Sequence, residues 1–287
     1  GLDSLYASSV IAIRPKTGEI VWHYQYTPND MYDVDGTDEP VLADIQIDGK
    51  SRKVLFQVNK NGFMYTLDRT NGQLLRAHPF TKVNWASHID LTTGRPVLTD
   101  IIDKIKNGEE VAIYPQRGVN AVPVAYNPNT GLIYTTSWQI PRLVKLGDSK
   151  KPTLGGRATG MTAGTYKVKP GEVVGHDLAM NPITGEKKWE IPLVEVASAA
   201  GSMVTDAGLV FTGKLTGEFI ALDEATGKTL WSFQTGSGIN ATPITYTYNG
   251  RQYITIASGL GGNSARGMVG NKVPTGGAIW TFALLPD

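Results

Sequence analysis

Ala221-Leu222-Asp223-Glu224-Ala225-Thr226-Gly227-Lys228-Thr229-Leu230-Trp231 is the stretch from which the fold can be read. An alternating run, 218–222, leads into it, a Thr-Gly pair turns the chain, and a second run, 229–233, leads away. Alternation on both sides of a glycine that can take a positive φ marks a β-hairpin. The pattern also stands at residues 12–22, with Thr17-Gly18 and Trp22, and at 181–189, with Thr184-Gly185 and Trp189. Copies without Trp stand at 67–72 and 126–131. Trp189 and Trp231 lie 42 positions apart, and a four-stranded propeller blade takes about 40–45 residues. A Trp at one fixed place in each repeat can pack on a neighbouring blade and donate its indole N–H, which predicts a structural role for it.

Other short β-rich runs at 53–58, 62–67, 209–212 and 252–256, joined by turns such as Asn61-Gly62 and Asn249-Gly250, extend the same reading. No long amphipathic helix is evident, and residues 103–116 and 148–171 read as excursions from blades. The fold class is therefore all-β, a β-propeller with about four to five blades at roughly 40–45 residues each. So few blades with such long loops would leave an open ring with unpaired edges. Residues 1–287 are thus expected to be the carboxy-terminal part of a single propeller domain. The opening Gly1-Leu2-Asp3, with no initiating Met, carries the same expectation of an upstream piece.

The 287 residues are 41% hydrophobic and 18% charged with a net charge of +1, so no electrostatic case for nucleic acid or a membrane surface arises. No apolar run is long enough to span a bilayer. The absence of Cys excludes disulfides, thiolate metal sites and a c-type haem attachment within this stretch. His23, His78, His88 and His176 are scattered without metal-ligand spacing and read as surface or strand residues. No Gly-x-Ser-x-Gly elbow is present, and the glycines at 259–262 lack the Lys-Ser/Thr of a phosphate loop.

Chemistry is concentrated in Trp22-His23-Tyr24-Gln25-Tyr26-Thr27-Pro28-Asn29-Asp30-Met31-Tyr32-Asp33-Val34-Asp35-Gly36. Asp33 and Asp35, two apart ahead of Gly36, can converge on one cation, although the spacing is not that of an EF-hand. On composition alone this is also what a solvated acidic turn looks like. The segment resembles the active-site loop of pyrroloquinoline quinone (PQQ) dependent alcohol dehydrogenases, the family that includes the methanol dehydrogenases. The blade repeat resembles that family's tryptophan-docking motif, and Trp280-Thr281-Phe282 resembles its ending.

The resemblance implies an eight-bladed propeller about twice this length, of which the chain is the second half. It implies Asp33 as catalytic base beside the metal. Asp35 fills the position where an added Asp distinguishes lanthanide-using from calcium-using members, which favours a lanthanide, with Ca2+ the alternative. A trivalent ion attracts one more carboxylate than a divalent one. In Phe56-Gln57-Val58-Asn59-Lys60-Asn61-Gly62, Lys60 takes the place of the cation that reaches the quinone oxygens. Trp138, after Leu132-Ile133-Tyr134-Thr135-Thr136-Ser137, stands where methanol dehydrogenases have a cofactor-binding Asn. Gly261 and Gly262, in Ser258-Gly259-Leu260-Gly261-Gly262-Asn263, resemble the glycine-rich loop at the substrate entrance, and Asn263 replaces a frequent Trp there.

The implied reaction oxidises an alcohol to an aldehyde or ketone, with hydride transfer to metal-bound PQQ. The implied partners are the amino-terminal half of the propeller, which carries the other metal ligands, and a soluble cytochrome c as electron acceptor, in the periplasm. Two readings stand beside it. One is a quinoprotein for sugars or polyols. The other is a non-catalytic tryptophan-docking propeller used as a protein-binding scaffold, which needs neither Asp33 and Asp35 nor Lys60.

Overall fold

In a computed structural model of the chain, which describes residues 3–36, 38–147, 154, 161–164 and 166–284, the repeat is a hairpin turn of fixed geometry. Asp223 accepts the Gly227 N–H at 2.8 Å on its main-chain oxygen and the Thr226 N–H at 2.9 Å on its carboxylate, while Gly227 takes φ +72°. The same glycine-to-carbonyl bond closes the turns that start at Arg14, Asp68, Asn127 and Asn181. A sixth turn, which the sequence reading passed over, runs from Asp90 to Gly94. An Asx side chain that bonds its own turn and a glycine free to adopt positive φ make the hairpin largely a local property.

These hairpins assemble into antiparallel sheets. The chain opens with β1 (Ser9–Ile13) and β2 (Ile20–Gln25), a two-stranded pair. A four-stranded meander follows, β3 (Val41–Ile47), β4 (Lys50–Val58), β5 (Phe63–Asp68) and β6 (Leu74–Pro79). Next come the hairpin β7 (Ala86–Asp90) and β8 (Arg95–Leu98), the short helix α1 (Ile101–Lys106) and β9 (Val111–Ile113). After β10 (Ala125–Asn127) and β11 (Leu132–Trp138), the chain makes β12 (Arg142–Leu146) and β13 (Met161–Gly164), which join β9 in a separate sheet of order β13-β12-β9. β14 (Val173–Met180) and β15 (Lys187–Val194) then complete a four-stranded sheet with β10 and β11. The third four-stranded meander is β16 (Met203–Val204), β17 (Leu209–Gly213), β18 (Glu218–Asp223) and β19 (Thr229–Gln234). β20 (Ile244–Tyr248), β21 (Arg251–Gly259) and β22 (Gly277–Phe282) form the last sheet, with helix α2 (Gly262–Val269) between β21 and β22.

Such successive four-stranded meanders are the blades of a β-propeller. The chain divides into two compact units, residues 1–119 with 139–169, and 120–138 with 170–287. Most of the excursion expected at 148–171 lies outside the described residues, whereas that at 103–116 contains part of α1 and all of β9. Among the described residues, no helix is long and apolar enough to cross a membrane.

Two of the three repeat Trp residues do what their spacing predicts, whereas Trp231 is 40% exposed and meets Phe282 of β22 edge-on. In the first unit, Trp22 of β2 donates its indole N–H to the Arg69 carbonyl at 3.1 Å and lies over Gly72 in the turn of the neighbouring sheet. In the second unit, Trp189 of β15 donates to the Glu224 carbonyl at 2.9 Å and lies over Gly227. A Cβ at Gly227 would fall 2.8 Å from the Trp189 ring, on a backbone that already has positive φ. Gly227→Ala is therefore expected to destabilise the protein by about 2–4 kcal/mol, strain and overpacking together. Gly250→Ala has the same φ of +72° but nothing within 4 Å of its Cβ, and should cost only about 1–2 kcal/mol. Equal losses for the two variants in denaturant titration would rule out docking as the cause.

The core of the first unit positions the site. Strand β5 is buried along its whole length, and its Phe63, Tyr65 and Leu67 pack with Tyr24, Tyr26, Tyr32, Val34 and Trp85. Tyr32 and Val34 belong to the acidic loop, so that loop is anchored in the core by alternate residues.

Candidate active site

The loop that leaves β2 keeps a period of two. Tyr32 and Val34 point into the core, which turns Asp33 and Asp35 the other way. The Asp30 carboxylate braces the loop from beneath by accepting the Tyr32 N–H at 3.0 Å and the Val34 N–H at 2.9 Å. Burial raises the Asp30 pKa, against the pull of these two bonds. Between the braced residues Asp33 takes φ +62°, a left-handed conformation that Asp tolerates better than most residues. Gly36 then lets the chain press against the β4–β5 turn, since a Cβ there would overlap Asn59 Nδ2.

That turn presents Lys60. The Asn59 carbonyl accepts the Gly62 N–H at 3.0 Å, and the Lys60 carbonyl accepts the Gly118 N–H at 2.7 Å. Asn61 is locked by donating to Tyr65 Oη at 2.9 Å and by accepting the Trp85 indole N–H on its main-chain oxygen at 2.9 Å. On this fixed turn the Lys60 ammonium lies 3.0 Å from Asp33 Oδ1 and 2.9 Å from Asp35 Oδ1. A third strand adds Arg142, the first residue of β12, whose Nη2 donates to Asp33 Oδ2 at 2.8 Å.

The two cations lie beneath the carboxylates. The Lys60 side chain is 8% exposed and that of Arg142 16%, whereas Asp33 is 56% and Asp35 48% exposed. The carboxylates thus offer their free faces to whatever approaches from solvent. Burial pushes the Asp33 pKa up, but hydrogen bonds from Lys60 and Arg142 and the charge of Lys60 outweigh it and hold this carboxyl down at about 2. At neutral pH Asp33 is an anion. Burial first, then the charge of Arg142, lowers the pKa of the nearby Arg117.

Two carboxylates that converge on one ammonium form a partial cation site, with the Lys60 Nζ standing where a positive charge is already held. A hard metal ion takes six to eight oxygens in the case of Ca2+, more than two carboxylates can give. Among the described residues no group of three or more His, Asp or Glu could complete it. Asp33 and Asp35 therefore fit a metal as part of its ligand set, with the remaining oxygens supplied from elsewhere.

The other residues singled out in the sequence belong to the second unit. Trp138 is buried at the end of β11, and its indole N–H donates to the Ser198 carbonyl. Gly261 is exposed at the start of α2, which Gly262 opens, so a helix takes over where an irregular glycine-rich loop was expected. The Asn263 side chain lies outside the described residues. Sequence reasoning missed Arg142, which no local pattern marks, and gave Asp30 no role of its own, although an Asx residue two and four positions ahead of bonded N–H groups was a readable signal.

Comparison with known proteins agrees with this architecture. The family model for the glucose/ethanol/alcohol dehydrogenase β-propeller domain, PQQ, matches residues 1–84 and 156–254. A quinohemoprotein alcohol dehydrogenase (ADH IIB) of Pseudomonas putida is 40% identical over 267 residues, 91% of this chain and 38% of its own length. A quinoprotein ethanol dehydrogenase of Pseudomonas putida is 39% identical over 98% of this chain and 47% of its own. The structure of a europium-containing methanol dehydrogenase superposes with a TM-score of 0.86 at 32% identity, covering 98% of this chain and 54% of that one. The chain thus spans about half the length, or less, of the relatives that it matches. Its turns, its docked Trp residues and these matches together mean that the chain belongs to the PQQ family of glucose, ethanol and alcohol dehydrogenase β-propeller domains.

Proposed function

We propose that this chain supplies the catalytic-base side of a PQQ-dependent alcohol dehydrogenase. The observation that carries the reading is the convergence of Asp33 and Asp35 on Lys60, at 3.0 and 2.9 Å, in a chain whose relatives are named alcohol dehydrogenases. When bound, the quinone supplies the acceptor for the hydride that leaves the alcohol carbon, and its metal ion supplies a Lewis acid. Asp33 takes the hydroxyl proton. Asp35 shares Lys60 with it and adds a second carboxylate toward the ion, which favours a lanthanide over Ca2+. Lys60 offers positive charge to an oxygen that gains negative charge.

A carboxyl held at about 2 is fully ionised but gains little by accepting a proton. Any anionic oxygen that draws the Lys60 charge to itself therefore makes Asp33 a better base. The remaining metal ligands come from an amino-terminal half of the propeller, and electrons pass to a cytochrome c in the periplasm.

Absorption spectroscopy and elemental analysis of the purified native protein test the reading. The expected result is a quinone band together with a stoichiometric lanthanide or calcium ion. Protein that turns over alcohols with neither would sink it. The chain by itself is expected to bind PQQ weakly or not at all, and to bind it stoichiometrically once joined to an amino-terminal half. Tight binding by the chain alone in a quinone titration would contradict the need for that partner.

A further inference from the structure

Arg142 stands 109 positions along the chain from Asp33, on β12, which with β13 lies in sequence between β11 and β14 and joins β9 in a sheet of its own. It makes two contacts with the acidic loop. Nη2 donates to Asp33 Oδ2 at 2.8 Å, and Nη1 donates to the Tyr32 main-chain carbonyl at 3.1 Å. One planar guanidinium thus spans the carboxylate and the peptide unit that precedes it. A rigid fork of this kind fixes direction as well as charge, which an ammonium does not do.

The loop needs such a hold. Asp33 sits at φ +62°, in a region that L-residues other than glycine visit sparingly. The Asp30 carboxylate holds the N–H groups on both sides of it, at Tyr32 and Val34. Arg142 holds the carbonyl of Tyr32 and the side chain of Asp33 itself. The two oxygens of Asp33 are then divided between two cations, Oδ1 to Lys60 and Oδ2 to Arg142. Lys60 also has Asp35, so the contact that belongs to Asp33 alone is the one from Arg142.

We propose that Arg142 is a positioning residue for Asp33: it fixes the direction of the Asp33 carboxylate, so that Lys60 can leave Asp33 without the base losing its aim. This rests on the reading of Asp33 as the catalytic base. Arg142 contributes to β12 through its backbone, which pairs with Ile113 of β9, so the ladder does not depend on its side chain.

The test uses the holoenzyme assembled from this chain and an amino-terminal half, with 15N-arginine in this chain, as wild type and as Arg142→Met, Arg142→Lys, Asp33→Asn and Asp35→Asn. Arg142→Met is expected to lower kcat about 100-fold, the scale of an ångström-sized misplacement, with alcohol KM, quinone content and metal content within about twofold. Arg142→Lys should regain activity to about tenfold below wild type, because it restores the charge but not the second bond. The Arg142 guanidinium resonance should be sharp and slowly exchanging, broaden in Asp33→Asn and persist in Asp35→Asn. An unchanged kcat in Arg142→Met, a kcat that falls only in step with lost quinone or metal, or a resonance indifferent to Asp33→Asn would each overturn the assignment. Should Arg142→Met fail to fold, the Lys variant and the resonance decide. Full turnover in Asp33→Asn would instead remove the base, and with it the catalytic meaning of the clamp, while the resonance still reported the pairing.

Discussion

Asp33→Asn is expected to cut kcat for alcohol oxidation by about a thousand-fold, within the range that a positioned base contributes. The substitution keeps the shape of the side chain and removes only its capacity to accept a proton and carry charge. Its backbone cost is small, since Asn is as much at home as Asp at the φ of +62° that this residue adopts. The surrounding bonds also survive. Lys60 retains Asp35 at 2.9 Å, and Arg142 retains the Tyr32 carbonyl at 3.1 Å. Asp33 is 56% exposed, so its ion pairs are well solvated and their loss should cost no more than about 1 kcal/mol of stability. The prediction is therefore a split, with catalysis nearly abolished and the denaturation midpoint almost unmoved. Steady-state kinetics beside urea titration measure both. A variant that keeps more than about a tenth of wild-type turnover would show that some other group takes the proton.

The hairpins were legible because their determinants are local. An Asp or Asn (Arg14 in the first copy), a Gly four positions on and alternating flanks are all contained in about ten residues, and five copies read from sequence form the same turn. The sixth, Asp90 to Gly94, has the carboxylate and the glycine but continues as Arg95-Pro96-Val97 without a Trp, so a search keyed to Trp passes over it. Helix α2 was missed for a different reason. Gly262-Asn263-Ser264-Ala265-Arg266-Gly267-Met268-Val269 has weak helical propensity and two glycines. What stabilises it is tertiary, the packing of Val269 with Leu215, Leu260 and Val273. Arg142 was illegible on the same principle, since its role follows from the docking of an inserted sheet rather than from any neighbour in sequence. Asp33 and Asp35 were legible as a pair able to converge on one cation, but their roles, and Lys60, came into view only through resemblance to a family; the structure adds what spacing could not, the ammonium held between the two carboxylates.

Lys60→Gln is expected to lower kcat by about 100- to 1,000-fold, the cost of removing a preorganised positive group from beside developing negative charge. Two effects oppose each other here. Lys60 is among the groups that hold the Asp33 pKa down at about 2, so removing it makes Asp33 a stronger base and by itself favours proton transfer. Proton-transfer rates respond only fractionally to base strength, so each pKa unit regained contributes less than about tenfold. Arg142, which stays in place, limits how many units are regained. The loss of the cation therefore wins, and turnover falls. Stability follows a different rule. Deleting one member of a fully buried pair costs about 3–5 kcal/mol because a charge is stranded away from water. Here the residue deleted is the buried partner, and the carboxylates left behind are 56% and 48% exposed, so water and Arg142 take over their solvation. The destabilisation should stay near 1 kcal/mol, as for partly solvated pairs. Metal content separates this account from its rival. If Lys60 acts on the oxygen that gains charge, the variant retains its metal and loses turnover. If Lys60 serves only to hold Asp33 and Asp35 together, metal and turnover are lost in the same proportion, and Lys60→Arg, whose fork can bridge both carboxylates, restores them together.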